Sequence, residues 1–185
     1  DQMMIAVTAL GQVDGEPVRR GGARPGDVVA IAGRQGWAAA GLAVLARGFR
    51  SPRVLVEAYR RPEPPYAAGP EALMLGATSM IDVSDGLVAD VGHLATASGE
   101  SVALDSGCFT LAETMVAVGA ALGVDPMRFV LGGGDDHALV ATFPAGTVLP
   151  ETWTVIGEVR DVAEDDDETP GVTVDGAAYE GAAGH

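Results

Sequence analysis

Apolar and polar positions change period several times along the chain, and each change marks an element. Met4 to Leu10 (MIAVTAL), and within it Ile5 to Leu10, reads as a strand. Val28 to Ala32 (VVAIA) is a short continuous apolar run bounded by turn residues, the mark of a buried strand. Trp37 to Arg47 reads as a helix ended by Gly48. Arg53 to Tyr59 reads as another strand, and the proline-rich Pro62 to Pro70 as irregular chain leading into a short helix at Glu71 to Leu75. Thr78 to Val83 is apolar apart from Asp82 and predicts a buried strand. Leu87, Val91, Leu94 and Ala95 recur at helical spacing, so Gly86 to Ala97 is an amphipathic helix. Thr110 and Glu113 have capping-box spacing ahead of a helix over Leu111 to Leu122. His137 to Phe143, Trp153 to Val159 and Val172 to Val174 read as strands, with Asp175-Gly176 as a turn. The mixture predicts an α+β fold of mixed α/β layers, helices packed on a mixed β-sheet.

Composition narrows the classes of function. The 185 residues carry 11 basic and 26 acidic side chains, for a net charge of −15. Every basic side chain but histidine is arginine. So acidic a surface repels nucleic acid and anionic membrane, and neither is expected as a partner. Phosphates, if handled, need local arginines or divalent cations. The single cysteine, Cys108, excludes an internal disulfide framework and a multi-cysteine metal site, and reads as a small buried hydrophobe in a cytoplasmic protein. The acidic run Glu164 to Glu168 reads as a solvated loop. Asp1 opens the chain, with a strand almost at once, so a preceding part of the natural protein is expected.

Three stretches could carry chemistry. In Met80-Ile81-Asp82-Val83-Ser84-Asp85-Gly86-Leu87 a strand turns into a helix, and Asp82 stands where a hydrophobe belongs. A buried carboxylate is costly unless paired, hydrogen-bonded or metal-bound. Ser84 and Asp85 fall at the helix start and are each good N-caps. Two carboxylates and a hydroxyl there also suit Mg²⁺, and a helix N-terminus attracts phosphate oxygens. In Gly132-Gly133-Gly134-Asp135-Asp136-His137 the glycines either admit a ligand close to the backbone or make a turn. Arg19-Arg20-Gly21-Gly22-Ala23-Arg24-Pro25-Gly26-Asp27 is the densest basic cluster, able to grip phosphate or simply to balance acids. His93, spaced with Leu94 and Ala97, reads as a structural or surface residue.

Taken in order, the arginine–glycine cluster, Asp-Val-Ser-Asp-Gly-Leu and Gly-Gly-Asp-Asp-His-Ala-Leu resemble the thiamine-monophosphate kinases, as do Ala6 to Gly11, Gly36 to Leu45 and Pro62 to Gly69. Asp-Val-Ser-Asp-Gly is the specific element; it separates these enzymes from aminoimidazole ribonucleotide synthetase, selenophosphate synthetase and a hydrogenase-maturation protein of the same superfamily. The resemblance implies Mg²⁺- and ATP-dependent phosphorylation of thiamine monophosphate, with no side-chain nucleophile, on the C-terminal domain of the aminoimidazole ribonucleotide synthetase-like fold. It implies that Arg20 and Ser84 contact ATP, that Asp82 and Asp85 bind Mg²⁺, and that Asp135 contacts the substrate, with Asp136 able to share that role. It further implies that residues 1–20 end an N-terminal ATP-binding and dimerisation domain, with 21–185 the C-terminal domain, and that the complete protein is a homodimer. The chain alone is then inactive, and it stops at Gly184-His185, near where the family has an aromatic substrate contact. Another ATP-dependent enzyme of the superfamily, or a noncatalytic binding domain on the same scaffold, are the competing readings.

Overall fold

A computed structural model describes residues 3–8, 10–13, 15–162 and 169–179. The run Glu164 to Glu168 and the terminal Gly184-His185 lie outside the described residues. Among the described residues, seven strands form one sheet: β1 (Val28–Ala32), β2 (Ser79–Asp82), β3 (Ser101–Leu104), β4 (Leu139–Phe143), β5 (Trp153–Arg160), β6 (Val172–Val174) and β7 (Ala177–Ala178). Their order is β2-β4-β1-β5-β3-β6-β7, antiparallel except for the β3/β6 pair. Six α-helices accompany them: α1 (Trp37–Ala46), α2 (Arg53–Arg60), α3 (Ala68–Met74), α4 (Leu87–Ser98), α5 (Glu113–Leu122) and α6 (Met127–Gly132). The mixed α/β layers expected from the sequence are those observed.

Side-chain alternation explains how the layers divide. In β1, Val29 and Ile31 enter a core with Leu87, Val91 and Leu94 of α4, while Ala30 and Ala32 face Ala68 and Ala72 of α3. The alanine face is thin, and Phe143 and Trp153 fill it edge to face, with ring centroids 5.1 Å apart. A third cluster joins α1, α2, α5 and α6 through Val44, Leu55, Met115 and Phe129. Glycine at position 41 lets α1 and α2 touch: a Cβ there would stand 2.0 Å from the Leu55 carbonyl oxygen.

Four local expectations are corrected. Arg53 to Tyr59 is helix α2, not a strand; Pro52 stands at its N-cap, and Leu55, Val56 and Ala58 form its buried face. Met4 to Leu10 forms no ladder where it is described: no described strand lies beside it, and Met4, Ile5, Val7 and Leu10 are exposed. Thr110 and Glu113 make no capping box, since α5 starts at Glu113 with Ala112 as its N-cap and no side-chain cap bond. Asp82 is exposed at the last position of β2 rather than buried within it. Among the described residues, no helix is long and apolar enough to cross a membrane.

Candidate active site

The first candidate stretch is the exit of β2. Asp82 pairs with Leu139 of β4, and the Val83 N–H donates to the Ala138 carbonyl at 2.8 Å, so the strand continues to the edge of the turn. Val83 is fully buried and anchors the turn in the core. Ser84 and Asp85 do not cap α4. Gly86 is the N-cap residue and no side chain caps the helix; instead Asp90, in the first turn of α4, braces the turn that leads into it. Its Oδ2 accepts from the N–H groups of Ser84 at 2.9 Å, Asp85 at 2.9 Å and Gly86 at 3.1 Å. The Ser84 hydroxyl and the Asp82 and Asp85 carboxylates form no hydrogen bond among the described residues, and both carboxylates are exposed. Their hard oxygen donors, uncommitted to the fold, fit Mg²⁺.

The glycine stretch packs against this turn. The Asp135 N–H donates to the Ser84 carbonyl at 3.2 Å. A Cβ on Gly134 would lie 1.9 Å from that same oxygen, and one on Gly86 would lie 2.8 Å from the Gly132 oxygen. Two motifs some fifty positions apart in sequence thus touch backbone to backbone, and the glycines are required for the approach as much as for turning. Gln35 ties the loop down from a third segment, donating through Nε2 to the carbonyls of Val130 at 2.8 Å and Gly133 at 2.7 Å.

Asp135 and Asp136 separate cleanly. Asp136 is buried, and its carboxylate accepts from the Ala38 N–H in the first turn of α1 at 3.0 and 3.2 Å. Burial pushes its pKa up to about 6, against the opposing pull of the Ala38 amide, the Arg34 charge and the Gly36 and Trp37 amides. Asp136 therefore anchors α1. Asp135 is exposed, with φ 64, and His137 has φ 53, so the backbone is held in the left-handed region on both sides of the anchor. Asp135 lines a hollow of about 270 Å³ with Arg128, Gly133 and Tyr179. Asp82 lines a different cleft, of about 460 Å³, with His137, Tyr66 and Pro65. Asp85 belongs to a third grouping, its carboxylate lying within 4.8 Å of Asp90 and His93 ligand atoms.

The arginine cluster wraps the free edge of β2. The Met80 N–H donates to the Arg19 carbonyl at 2.9 Å, and Arg20 is exposed beside it. Asp27 closes the cluster, its carboxylate accepting from the Arg24 N–H at 2.9 Å and the Thr78 hydroxyl at 2.7 Å. Gly22 and Ala23 both donate to the Ser98 hydroxyl at the end of α4. Cys108 is half-buried, and burial together with the Asp105 carboxylate raises its thiol pKa, which disfavours the thiolate. Gln35 and Asp90 carry no sequence signal, because what they hold is backbone.

The architecture is a known one. Hydrogenase maturation protein HypE superposes with a TM-score of 0.63 at 18% identity, over 88% of this chain and 53% of its own, which establishes the shared fold. Closer likeness lies with one group of enzymes. Thiamine-monophosphate kinase from Mycobacterium tuberculosis is 43% identical over 99% of this chain and 53% of its own length. The Corynebacterium glutamicum enzyme is 36% identical over 90% of this chain and 52% of its own. The crystal structure of the Aquifex aeolicus enzyme aligns with a TM-score of 0.76 at 32% identity, covering 88% of this chain and 54% of that one; AaThiL has also been solved complexed with AMPPCP and TMP. No protein-family profile matches. Over nearly its whole length the chain is similar to the thiamine-monophosphate kinases, and it spans about half of theirs.

Proposed function

We propose that the chain is the C-terminal domain of a thiamine-monophosphate kinase, transferring the γ-phosphoryl group of ATP to thiamine monophosphate. A terminal phosphate oxygen of thiamine monophosphate attacks the γ-phosphorus. The bond from that phosphorus to the β,γ-bridging oxygen breaks, giving ADP and thiamine diphosphate. Catalysis of this kind is positioning and charge stabilisation rather than covalent chemistry. The observation that carries the reading is the backbone lock between the Asp82–Gly86 turn and the Gly132–His137 loop, which leaves Asp82, Ser84, Asp85 and Asp135 free of structural duties.

In this reading Asp82 and Asp85 hold Mg²⁺, and bound Mg²⁺ neutralises phosphate charge in a protein of net charge −15. Ser84 and Arg20 bind ATP. Asp135 orients thiamine monophosphate, a role that Asp136 does not share because its carboxylate is committed to α1. Residues 1–20 end the preceding ATP-binding and dimerisation domain, residues 21–185 are the C-terminal domain, and the complete protein is a cytoplasmic homodimer. The exposed Met4, Ile5 and Val7 support the boundary, since an apolar stretch left in the open fits a strand paired with a part of the protein outside this chain.

The test is thiamine diphosphate formation from Mg-ATP and thiamine monophosphate by the full-length protein and by this chain alone. The expected result is turnover by the full-length protein and none by the chain. A full-length protein that hydrolyses or transfers phosphate but never forms thiamine diphosphate would refute the assignment, and normal turnover by the chain alone would refute the domain boundary.

A further inference from the structure

Asp90 is out of place by ordinary criteria. It is an aspartate in the first turn of α4, only 3% exposed, on a helix whose Leu87, Val91 and Leu94 are also buried. A carboxylate in such a position is costly unless it is fully hydrogen-bonded. Here one oxygen collects three successive backbone N–H groups, from Ser84, Asp85 and Gly86. These three amides lie ahead of the helix, so Asp90 braces the turn leading into α4 rather than capping α4 itself. With Asp90 holding the turn by its backbone, the Ser84 hydroxyl and the Asp85 carboxylate form no hydrogen bond among the described residues.

From this arrangement, and resting on the kinase reading above, we infer that Asp90 is a positioning residue: it fixes the Ser84–Gly86 backbone and so sets where the Asp85 carboxylate and Ser84 hydroxyl meet the metal and phosphates. Asp90 and His93 lie near enough to Asp85 to suggest a three-residue metal site. The three hydrogen bonds engage Asp90 Oδ2 alone and leave Oδ1 able to act as a ligand, so Asp90 either braces the turn or joins an exposed His93 in holding the ion. The two arrangements differ in what His93 should do.

The experiment uses the full-length protein with Asp90→Ala, Asp90→Asn and His93→Ala, below the melting temperature of each. Amide hydrogen exchange at residues 84–86 reads the turn without reference to activity, and Mn²⁺ titration followed by electron paramagnetic resonance reads metal binding. Asp90→Ala should accelerate exchange at these amides and weaken Mn²⁺ binding by at least about tenfold, the scale of one charged hydrogen bond. Asp90→Asn keeps the shape and one acceptor oxygen, so it should recover part of both losses; if the alanine variant does not fold, it carries the test. His93→Ala should leave both readouts unchanged. Faster exchange with unaltered Mn²⁺ binding would make Asp90 a brace of the turn and nothing more, overturning the inference. An equal loss of Mn²⁺ affinity in His93→Ala would make the trio a ligand set, also overturning it. A wild-type protein that binds Mn²⁺ but forms no thiamine diphosphate would refute the kinase reading instead, leaving the comparison among variants intact.

Discussion

Gly134→Ala is the sharpest perturbation the structure offers. Gly134 does not need a positive φ, so alanine is permitted there by backbone conformation. What alanine lacks is room. Its Cβ would stand 1.9 Å from the Ser84 carbonyl oxygen, 2.5 Å from the Ser84 carbonyl carbon and 3.1 Å from that of Asp85. All three are backbone atoms, so no side chain can swing aside. Reaching even 3.0 Å, below which real Cβ atoms are essentially never found, separates the two backbones by about 1.1 Å. The Asp135 N–H bond to Ser84, already 3.2 Å long, is lost in that movement.

Two magnitudes follow. Overpacking of this kind costs about 1–3 kcal/mol of stability, with about 1 kcal/mol more for the lost hydrogen bond. A displacement of about 1 Å at reacting groups costs on the order of a hundredfold in rate. The full-length Gly134→Ala protein should therefore melt several degrees lower and lose about a hundredfold in kcat/KM for thiamine diphosphate formation, measured well below its melting temperature. Gly92→Ala, whose Cβ would meet only a Val172 methyl at 3.9 Å, is the matched control. Wild-type kinetics and melting in Gly134→Ala would show that the lock between the loops is not what positions the site.

Asp82→Asn should abolish most activity and raise the Mg²⁺ requirement with no change in melting temperature, because Asp82 is exposed and holds nothing else; an unaltered Mg²⁺ titration would remove it from the metal site. Asp135→Ala should lower kcat/KM for thiamine monophosphate by roughly ten- to a hundredfold while the KM for ATP barely moves, and an effect on ATP alone would place the glycine loop on the nucleotide side. Asp136 has a folded pKa of about 6, above its ordinary 3.8. Its contribution to stability is therefore fully present below about pH 4 and lost as pH rises through about 6. Urea denaturation should show the wild type losing on the order of 3 kcal/mol relative to Asp136→Asn across that window, whereas parallel curves would mean the carboxyl titrates normally.

The fold was legible wherever one period ran long enough to be unambiguous. β1, β2, β4, β5 and β6, and helices α1 and α4, fall where the apolar pattern puts them, within a residue or two. Helix α2 reads as a strand because Arg53 to Tyr59 is only seven residues and mostly apolar, so strand and helix fit it alike; its partner α1, which decides the matter through Gly41, is not visible locally. Strand β3, four residues with only Val102 and Leu104 buried, and α6, between Pro126 and the glycine run, were too short to register. The first strand expected, Met4 to Leu10, was read from propensity alone, and a strand without a neighbour has no ladder to form.

The candidate site divides along a physical line. Asp82 stands out because a carboxylate is out of place in an apolar strand, and Ser84, Asp85 and Asp135 because they fall at a strand-to-helix turn and a glycine loop; the structure leaves all four side chains without a hydrogen bond among the described residues. The residues that hold them in place were invisible for the opposite reason: each looks ordinary where it stands. Gln35 is one amide in a loop until its hydrogen bonds to Val130 and Gly133, 95 and 98 positions away, are drawn. Asp136 resembles its neighbour Asp135 until one is found bonded to Ala38 and the other exposed. Asp90 is a polar residue at helical spacing until three amides converge on one oxygen. Groups that meet a ligand must be left unsatisfied by the fold and so show as anomalies in sequence. Groups that position them are satisfied by backbone, which every residue carries, and only the folded chain reveals which backbone that is.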